Sequence, residues 1–300
     1  MKIALFAREI EKVWRERLCL IIQTLRERGA ELCYYKPFYD KALIRYKLDL
    51  PPAPSYNGYE DLPQDTALLV CFGGDGTYLE SLTHVRERNI PIAGVNFGRL
   101  GFLTGAGMND LSWIDNLISG KFTVEKRSLL KISSPGLPDD FFRYALNEIT
   151  VQRKDPSMLG VKVSIDGVRL PSNWSDGLVI STPTGSTAYS LSIGGPIILP
   201  GAKVLIVAPI APHNLNVRPL VIPESVSIQV SISSRWKEVI LSTDNRFISV
   251  SAKELFTITK AEYDLNYVIF STGGFIGALK EKLRWGDDTR NSSPDEITGV

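Results

Sequence analysis

The sequence predicts an α/β domain with an open parallel sheet, followed by a second domain dominated by β-strands. Short apolar runs alternate with helical stretches through residues 1–120, and strand-type segments then follow one another over 121–269. One more helical pattern comes near the C-terminus. We expect this stretch, at about 270–285, to return to the first domain, and we expect residues 286–300 to form a polar tail.

Strands and helices alternate in the first domain. The helix predicted over 9–28 carries Val13, Leu18, Ile21, Ile22 and Leu25 at helical spacing, and Gly29 ends it. Residues 49–65 are rich in proline and are expected to form an irregular surface loop. Apolar runs of strand length are found at 3–6, 31–35, 67–72 and 90–95, and a second helix is predicted over 78–88. This order is typical of parallel strands joined by crossover helices.

The second domain shows little helical periodicity. Strands are predicted at 123–132, 141–152, 161–165, 178–181, 204–208, 225–231 and 238–241. Turn residues such as Asp166-Gly167 and Asp244-Asn245 separate them. The Asp166-Gly167 pair lies between two strand-type segments, so a hairpin turn explains it and we assign it no catalytic role.

Composition narrows the class of function. A net charge of +1 over 300 residues offers no field for nucleic acid or an anionic membrane, so we expect neither as a partner. The three cysteines, Cys19, Cys33 and Cys71, lack metal-ligand spacing, and we predict reduced thiols and no metal site built by the protein. The N-terminus lacks the features of a signal peptide, so we expect a cytoplasmic enzyme.

The strongest short motif is Gly73-Gly74-Asp75-Gly76-Thr77, which lies between an apolar strand and a helix. Open α/β sheets bind ligands at the carboxyl ends of their strands. Glycines let backbone N–H groups approach an anion, and a helix N-terminus favours negative charge. Asp75 can accept a hydroxyl proton or engage metal-bound phosphate, whereas a purely structural alternative makes it only a helix cap.

A second unusual run extends over residues 175–196. A strand beginning near Asp176-Gly177 enters the loop Thr182-Pro-Thr-Gly-Ser-Thr-Ala-Tyr189, and another glycine pair follows at 194–195. Hydroxyls and free backbone amides suit the oxygens of ribose and phosphate. A turn rich in Ser and Thr can also satisfy only its own backbone, so this run alone leaves both interpretations open.

Together, and in this order, the two runs closely resemble the NAD kinase family. Further matching pieces are Asn96-Phe-Gly-Arg-Leu-Gly101-Phe102, Asn147-Glu148, the stretch from His213 to Leu220, and the terminal pattern Phe275…Leu279…Lys282-Leu283…Trp285. The Gly-Gly-Asp-Gly-Thr motif is shared with lipid kinases, whereas the second run is more specific. The resemblance covers residues 2–285.

The resemblance implies roles for individual residues. Asp75 matches the catalytic aspartate that activates the 2′-hydroxyl of the adenosine ribose of NAD. Asp244 and Asn245 fall near the expected donor site, where the family often has Asp-Gly, and Trp174 replaces a basic residue of some relatives. The implied NAD-binding residues are Gly74, Gly76, Phe102, Asn147, Glu148, Asp176, Thr184, Thr187, Ala188 and Tyr189.

The resemblance also implies substrates, a cofactor and an assembly. NAD would accept a phosphoryl group from ATP or inorganic polyphosphate to give NADP, with a divalent metal, Mg²⁺, bound with the nucleotide. Homodimers or homotetramers are expected. Two alternatives stay open: a lipid kinase that uses the same glycine-rich loop, and a dinucleotide-binding regulator without catalysis. The sequence shows no membrane-binding helix or basic patch, which argues against the lipid kinase.

Overall fold

The computed structural model describes residues 1–98, 101–270 and 274–284. Strands and helices alternate in the first part of the chain, as predicted. Its strands are β1 (Lys2–Ala7), β2 (Glu31–Tyr35), β3 (Ser55–Tyr56), β4 (Leu68–Phe72), β5 (Ile92–Asn96) and β6 (Ala106–Gly107), and its helices are α1 (Arg15–Glu27), α2 (Lys36–Asp40), α3 (Asp75–Val85) and α4 (Ser112–Ile118). Neighbouring strands pair in parallel in the order β5-β4-β1-β2-β3. The open parallel sheet is therefore confirmed.

Both faces of the parallel sheet are covered. Ile3 and Leu5 of β1 belong to one buried cluster with Ile21 of α1, and Phe6 belongs to another with Leu82 of α3. Successive side chains of a strand point to opposite faces, so a strand covered on both sides is apolar throughout. This is why the sequences of β1 and β4 are continuous apolar runs.

Two local predictions for the first part were wrong. The helix predicted from residue 9 begins at Arg15, after a 3-10 turn at Lys12–Trp14, and Val13 in that turn is 72% exposed. The segment 49–65 is not only a surface loop, because β3 within it pairs with β2. Leu50, Tyr56 and Leu62 are buried there. Proline and glycine mark an irregular backbone, but they do not exclude anchoring by apolar side chains between them.

Antiparallel strands build most of the second part. They are β7 (Thr123–Ser133), β8 (Tyr144–Ala145), β9 (Glu148–Arg153), β10 (Leu159–Ile165), β11 (Val168–Arg169), β12 (Asn173–Ser175), β13 (Gly177–Ser181), β14 (Val204–Ile210), β15 (Leu220–Pro223), β16 (Ile228–Ser233), β17 (Glu238–Thr243), β18 (Arg246–Ser251) and β19 (Leu255–Ile269). One sheet has the order β15-β14-β13-β9-β17-β18, and buried side chains from it share a cluster with β7, β10, β16 and β19 of the other. The β-rich second part is confirmed.

Strand β19 connects the two parts of the fold. Its first half pairs with β16, it pairs along its length with β7, and Tyr267 near its end pairs in parallel with Ile92 of β5. The short helix α5 (Tyr189–Ser192) follows β13, and α6 (Gly274–Leu283) follows β19. The ring of Phe275 in α6 lies 6.1 Å from that of Phe102, so the last helix returns to the first part as predicted. Trp285 and the predicted tail at 286–300 lie outside the described residues.

Two smaller observations complete the fold. Cys33 and Cys71 are buried, Cys19 is half-buried, and all three are free thiols. No helix within residues 1–98, 101–270 and 274–284 is long and apolar enough to cross a lipid bilayer.

Candidate active site

Asp75 lies at the carboxyl edge of the parallel sheet. Strand β4 ends at Phe72, two glycines follow, and α3 begins at Asp75 itself. A Cβ atom on Gly73 would collide with Thr77, so the first glycine lets the chain turn tightly onto the helix. Gly74 and Gly76 are exposed, and a Cβ atom on either would meet open space. Their backbone therefore stays accessible to a ligand.

Two backbone amides hold the carboxylate of Asp75. Phe102 N donates to Oδ2 at 2.9 Å, and Leu103 N donates to Oδ1 at 3.0 Å. Gly101 packs directly on the carboxylate, because a Cβ atom there would overlap Asp75 Oδ1 and Thr104 Oγ1. The side chain is one-third exposed, at 33%. A carboxylate fixed at two oxygens and still open to solvent can accept a further hydrogen bond from a substrate.

A buried carboxyl group organises the Asn147-Glu148 segment. Asp244 Oδ1 accepts hydrogen bonds from Asn147 N at 2.8 Å and Glu148 N at 3.2 Å, and Oδ2 accepts one from Leu146 N at 2.9 Å. The side chain of Asp244 is fully buried. Its observed contacts are thus with residues 146–148 and with Arg246, and its donor-site role stays a prediction.

The turn at residues 244–246 connects this loop to α3. Asn245 Nδ2 donates to Gly76 O at 3.3 Å, and Arg246 Nη1 donates to Leu79 O at 3.3 Å. Asp244, at φ +53°, takes the left-handed conformation in this two-residue connection between β17 and β18. The predicted turn is therefore present with Asn245 in place of glycine. The turn therefore links the Asn147-Glu148 segment, through Asp244, to the glycine-rich motif, through Asn245.

The loop after β13 packs on the same segment. Thr182 N donates to Asn147 O at 2.9 Å, and Thr182 Oγ1 donates to Leu146 O at 2.5 Å. A Cβ atom on Gly185 would overlap Asn147 O, so glycine is required for this close approach. Thr184 Oγ1 is buried and has no hydrogen-bond partner among the described residues. A buried hydroxyl without a partner calls for an explanation, and a hydrogen bond to a bound ligand would supply one.

Glu148 is an acid of the site whose pKa is strongly raised. It is buried, and Oε2 has no hydrogen-bond partner within the described part of the chain. Burial, together with the nearby Asp244 carboxyl, raises the pKa of Glu148 to about 8, although the Tyr189 N–H opposes this shift. Glu148 is therefore largely protonated at neutral pH and can donate a hydrogen bond.

The remaining predicted residues border the same region. Asp176 forms an ion pair with Arg153 at 3.0 Å. Burial raises the pKa of Tyr189, and the charges of Asp176 and Glu148 add to this effect. Thr187 Oγ1 donates to Thr184 O at 3.3 Å, and Ala188 and Tyr189 are partly exposed. The predicted residues thus fall into two sets that the 244–246 turn connects. One set surrounds Asp75, and the other consists of Asn147, Glu148 and the loop after β13.

Several residues that shape the site were not predicted. Arg246 bridges Asp244, Tyr144 and α3, with no sequence motif to mark it. Gly101 belongs to the stretch from Asn96 to Phe102 that resembles the family, but its packing on Asp75 is visible only in three dimensions. Lys282 of the terminal pattern lies 3.9 Å from Asp75 Oδ2.

Comparison with known proteins assigns the family. The sequence model of the family "ATP-NAD kinase N-terminal domain" matches residues 46–120. The sequence model of the family "ATP-NAD kinase C-terminal domain" matches residues 146–270. A protein named NAD kinase from Flavobacterium psychrophilum is 37% identical over 295 residues, which cover 97% of this chain and 100% of that protein. The chain belongs to the NAD kinase family. The predicted family, and with it the predicted class of enzyme, a kinase, is confirmed.

Solved structures of NAD and NADH kinases share the fold. A crystal structure of yeast NADH kinase complexed with NADH superposes with a TM-score of 0.84 at 23% identity, covering 97% of this chain and 89% of that one. A crystal structure of an NAD kinase from Archaeoglobus fulgidus in complex with ATP gives 0.67 at 27% identity, covering 95% and 99%. The family fold therefore matches the architecture described above.

Glu148 makes stability depend on pH in a specific direction. Its pKa in the folded protein is about 8, above the ordinary value of 4.5, so the folded state retains a proton that the unfolded chain releases. The buried, protonated carboxyl of Glu148 therefore costs no stability below about pH 4.5. As pH rises towards 8, the unfolded chain gains stability by ionising, and the folded protein becomes less stable relative to it. We expect Glu148→Gln, which is always neutral, to melt near wild type at pH 5 and a few degrees higher at pH 8.5, measured by calorimetry.

A second glutamate provides the control. Glu238 is exposed and its pKa is lowered by Lys154, so it is ionised in both states above pH 5, and Glu238→Gln should change the melting temperature equally at both pH values. An offset between Glu148→Gln and wild type that does not vary with pH would rule out the protonated glutamate.

Proposed function

We propose that this protein phosphorylates the 2′-hydroxyl of the adenosine ribose of NAD to give NADP, with Asp75 as the group that activates the hydroxyl. The observation that carries the proposal is the Asp75 carboxylate, which two backbone amides fix at 2.9 and 3.0 Å while the side chain stays one-third exposed. A general base must be held in place and must still be reachable by the substrate.

NAD would lie between the glycine-rich loop and the loop after β13. Asn147, Glu148 and the residues from Thr184 to Tyr189 would hold its adenosine, and Phe102 would border the adenine. The protonated Glu148 carboxyl and the orphaned Thr184 hydroxyl supply hydrogen-bonding groups in a buried region. A polar ligand that satisfies such groups gains specificity, because an analogue without the matching hydroxyls would leave them unpaired.

Asp75 would orient the ribose hydroxyl and accept its proton as the oxygen attacks the terminal phosphorus of the donor. Phosphoryl transfer depends chiefly on alignment and on neutralising charge, so a fixed carboxylate is more useful than a mobile one. The exposed backbone of Gly74 and Gly76, next to the N-terminus of α3, suits the phosphate oxygens of the donor.

The donor would be ATP, with inorganic polyphosphate as the alternative, and Mg²⁺ would be bound with it. In the described part of the chain, no three His, Cys, Asp or Glu side chains lie together as metal ligands. The Mg²⁺ ion would be held mainly by the phosphate oxygens of the donor, with Asp75 as a carboxylate within reach. When bound, the ion neutralises phosphate charge.

We also propose a cytoplasmic homodimer or homotetramer that binds neither nucleic acid nor membranes. Free thiols are typical of a reducing compartment. The second part of the fold exposes large apolar side chains, among them Trp174, Leu220 and Val221. Exposed apolar side chains of this kind are common in the interfaces between protein subunits. A monomeric mass at micromolar concentration in analytical ultracentrifugation would contradict the assembly.

The test of function is NADP formation by the purified protein from NAD, Mg²⁺ and either ATP or polyphosphate. NADP from one of these donors supports the proposal and identifies the donor. NAD binding without product from any donor would favour the non-catalytic regulator. Phosphorylation of diacylglycerol or sphingosine in vesicles, without NADP, would favour the lipid kinase.

A further inference from the structure

The C-terminal helix places a cation beside Asp75. Lys282 Nζ lies 3.9 Å from Asp75 Oδ2 and 4.5 Å from the centre of the Phe102 ring. The side chain of Lys282 is 23% exposed, and burial lowers its pKa. The distance is too long for a hydrogen bond, so Asp75 attracts the ammonium group without using its N–H donors.

The packing of α6 fixes this position. Phe275 and Lys282 are seven residues apart, which places both on one face of a helix, and both contact Phe102. Leu279, between them, is buried. Phe102 itself donates its backbone N–H to Asp75. One aromatic residue therefore positions both the carboxylate and the ammonium group.

The position suits the charge changes of phosphoryl transfer. A carboxylate next to the attacking oxygen repels the negatively charged phosphoryl group, and a cation at the same place removes this repulsion. In the reaction the 2′-oxygen forms a bond to phosphorus, the bond to the leaving phosphate breaks, and the hydroxyl proton passes to Asp75. The ammonium group exchanges no proton and contributes only positive charge and hydrogen bonds.

We infer that Lys282 is a second catalytic residue, which contacts the transferred phosphoryl group and stabilises its charge in the transition state. This inference rests on the proposed function. The alternative is a structural lysine that only attaches α6 to Phe102 and Asp75. If Lys282 is catalytic, a variant without it loses turnover and phosphate binding. If Lys282 is only structural, the variant loses folding stability.

The test compares Lys282→Met with Lys282→Arg and with Lys280→Met, which removes an exposed lysine from the same helix. For Lys282→Met we expect kcat to fall about 10²-fold or more, as for the loss of one charged donor in an active site. The Kd for NAD should stay within about threefold and the melting temperature within about two degrees of wild type. Lys282→Arg should recover part of the loss, and Lys280→Met should match wild type.

A second measurement does not depend on turnover. Binding of inorganic tripolyphosphate to the NAD complex should weaken about tenfold or more in Lys282→Met and stay unchanged in Lys280→Met. Unchanged kcat and tripolyphosphate binding, or losses that follow a lower melting temperature, would overturn the inference. If wild type makes no NADP, the proposed function fails, and the tripolyphosphate measurement still decides the role of Lys282.

Discussion

Asp75→Asn is expected to lower kcat for NADP formation by at least about 10²–10⁴-fold, because an amide cannot accept the hydroxyl proton. The variant keeps the size of the side chain. It replaces one oxygen that accepts from Phe102 N or Leu103 N with an NH₂ group, so one hydrogen bond is lost. Steady-state kinetics with saturating NAD and donor would measure the effect, and calorimetry would show that the fold is retained.

Another Asp-Gly pair gives a matched control. Asp166 sits in the hairpin turn between β10 and β11 at φ +48°, a conformation that asparagine tolerates, which confirms the turn predicted there. Its carboxylate accepts a hydrogen bond from Ser227 N. Asp166→Asn should therefore leave kcat near wild type. Turnover by Asp75→Asn at the level of this control would mean that another group activates the hydroxyl.

Gly101→Ala is expected to lower kcat about 10²-fold although residue 101 has no side chain to take part in the chemistry. The added methyl group would overlap Asp75 Oδ1 and Thr104 Oγ1. Either the carboxylate or the backbone carrying the amides of Phe102 and Leu103 must move. A displacement of about 1 Å at a reacting group can cost that much in rate. Overpacking should also reduce the free energy of unfolding by about 1–3 kcal/mol.

Gly107→Ala is the control for this prediction. A Cβ atom at Gly107 meets nothing within 4 Å, and the residue belongs to β6, which pairs with β5. The variant should match wild type in kcat and in melting temperature. An active Gly101→Ala variant would show that the carboxylate does not need its two amide contacts for catalysis.

The fold was largely predictable because its patterns are local. Alternating strands and helices predict a parallel sheet, and strand-type segments with turns predict the β-rich part. The long predicted strand 141–152 was less accurate, because the chain breaks into β8 and β9 at Leu146 and Asn147. The amides at this break donate to Asp244, almost one hundred residues later, and no local pattern carries that information.

The sequence by itself indicated the family and the candidate residues. Residue types and spacing marked the Gly73–Thr77 motif and the Thr182–Tyr189 run, and the resemblance to the family added Asn147 and the individual roles. Only the tertiary structure decided how they act together. It assigned Asp244 to the Asn147-Glu148 loop, placed Gly101 against Asp75 and brought Lys282 within 3.9 Å of the same carboxylate. The pKa of Glu148 likewise depends on burial, which is a property of the packed chain and not of the residue.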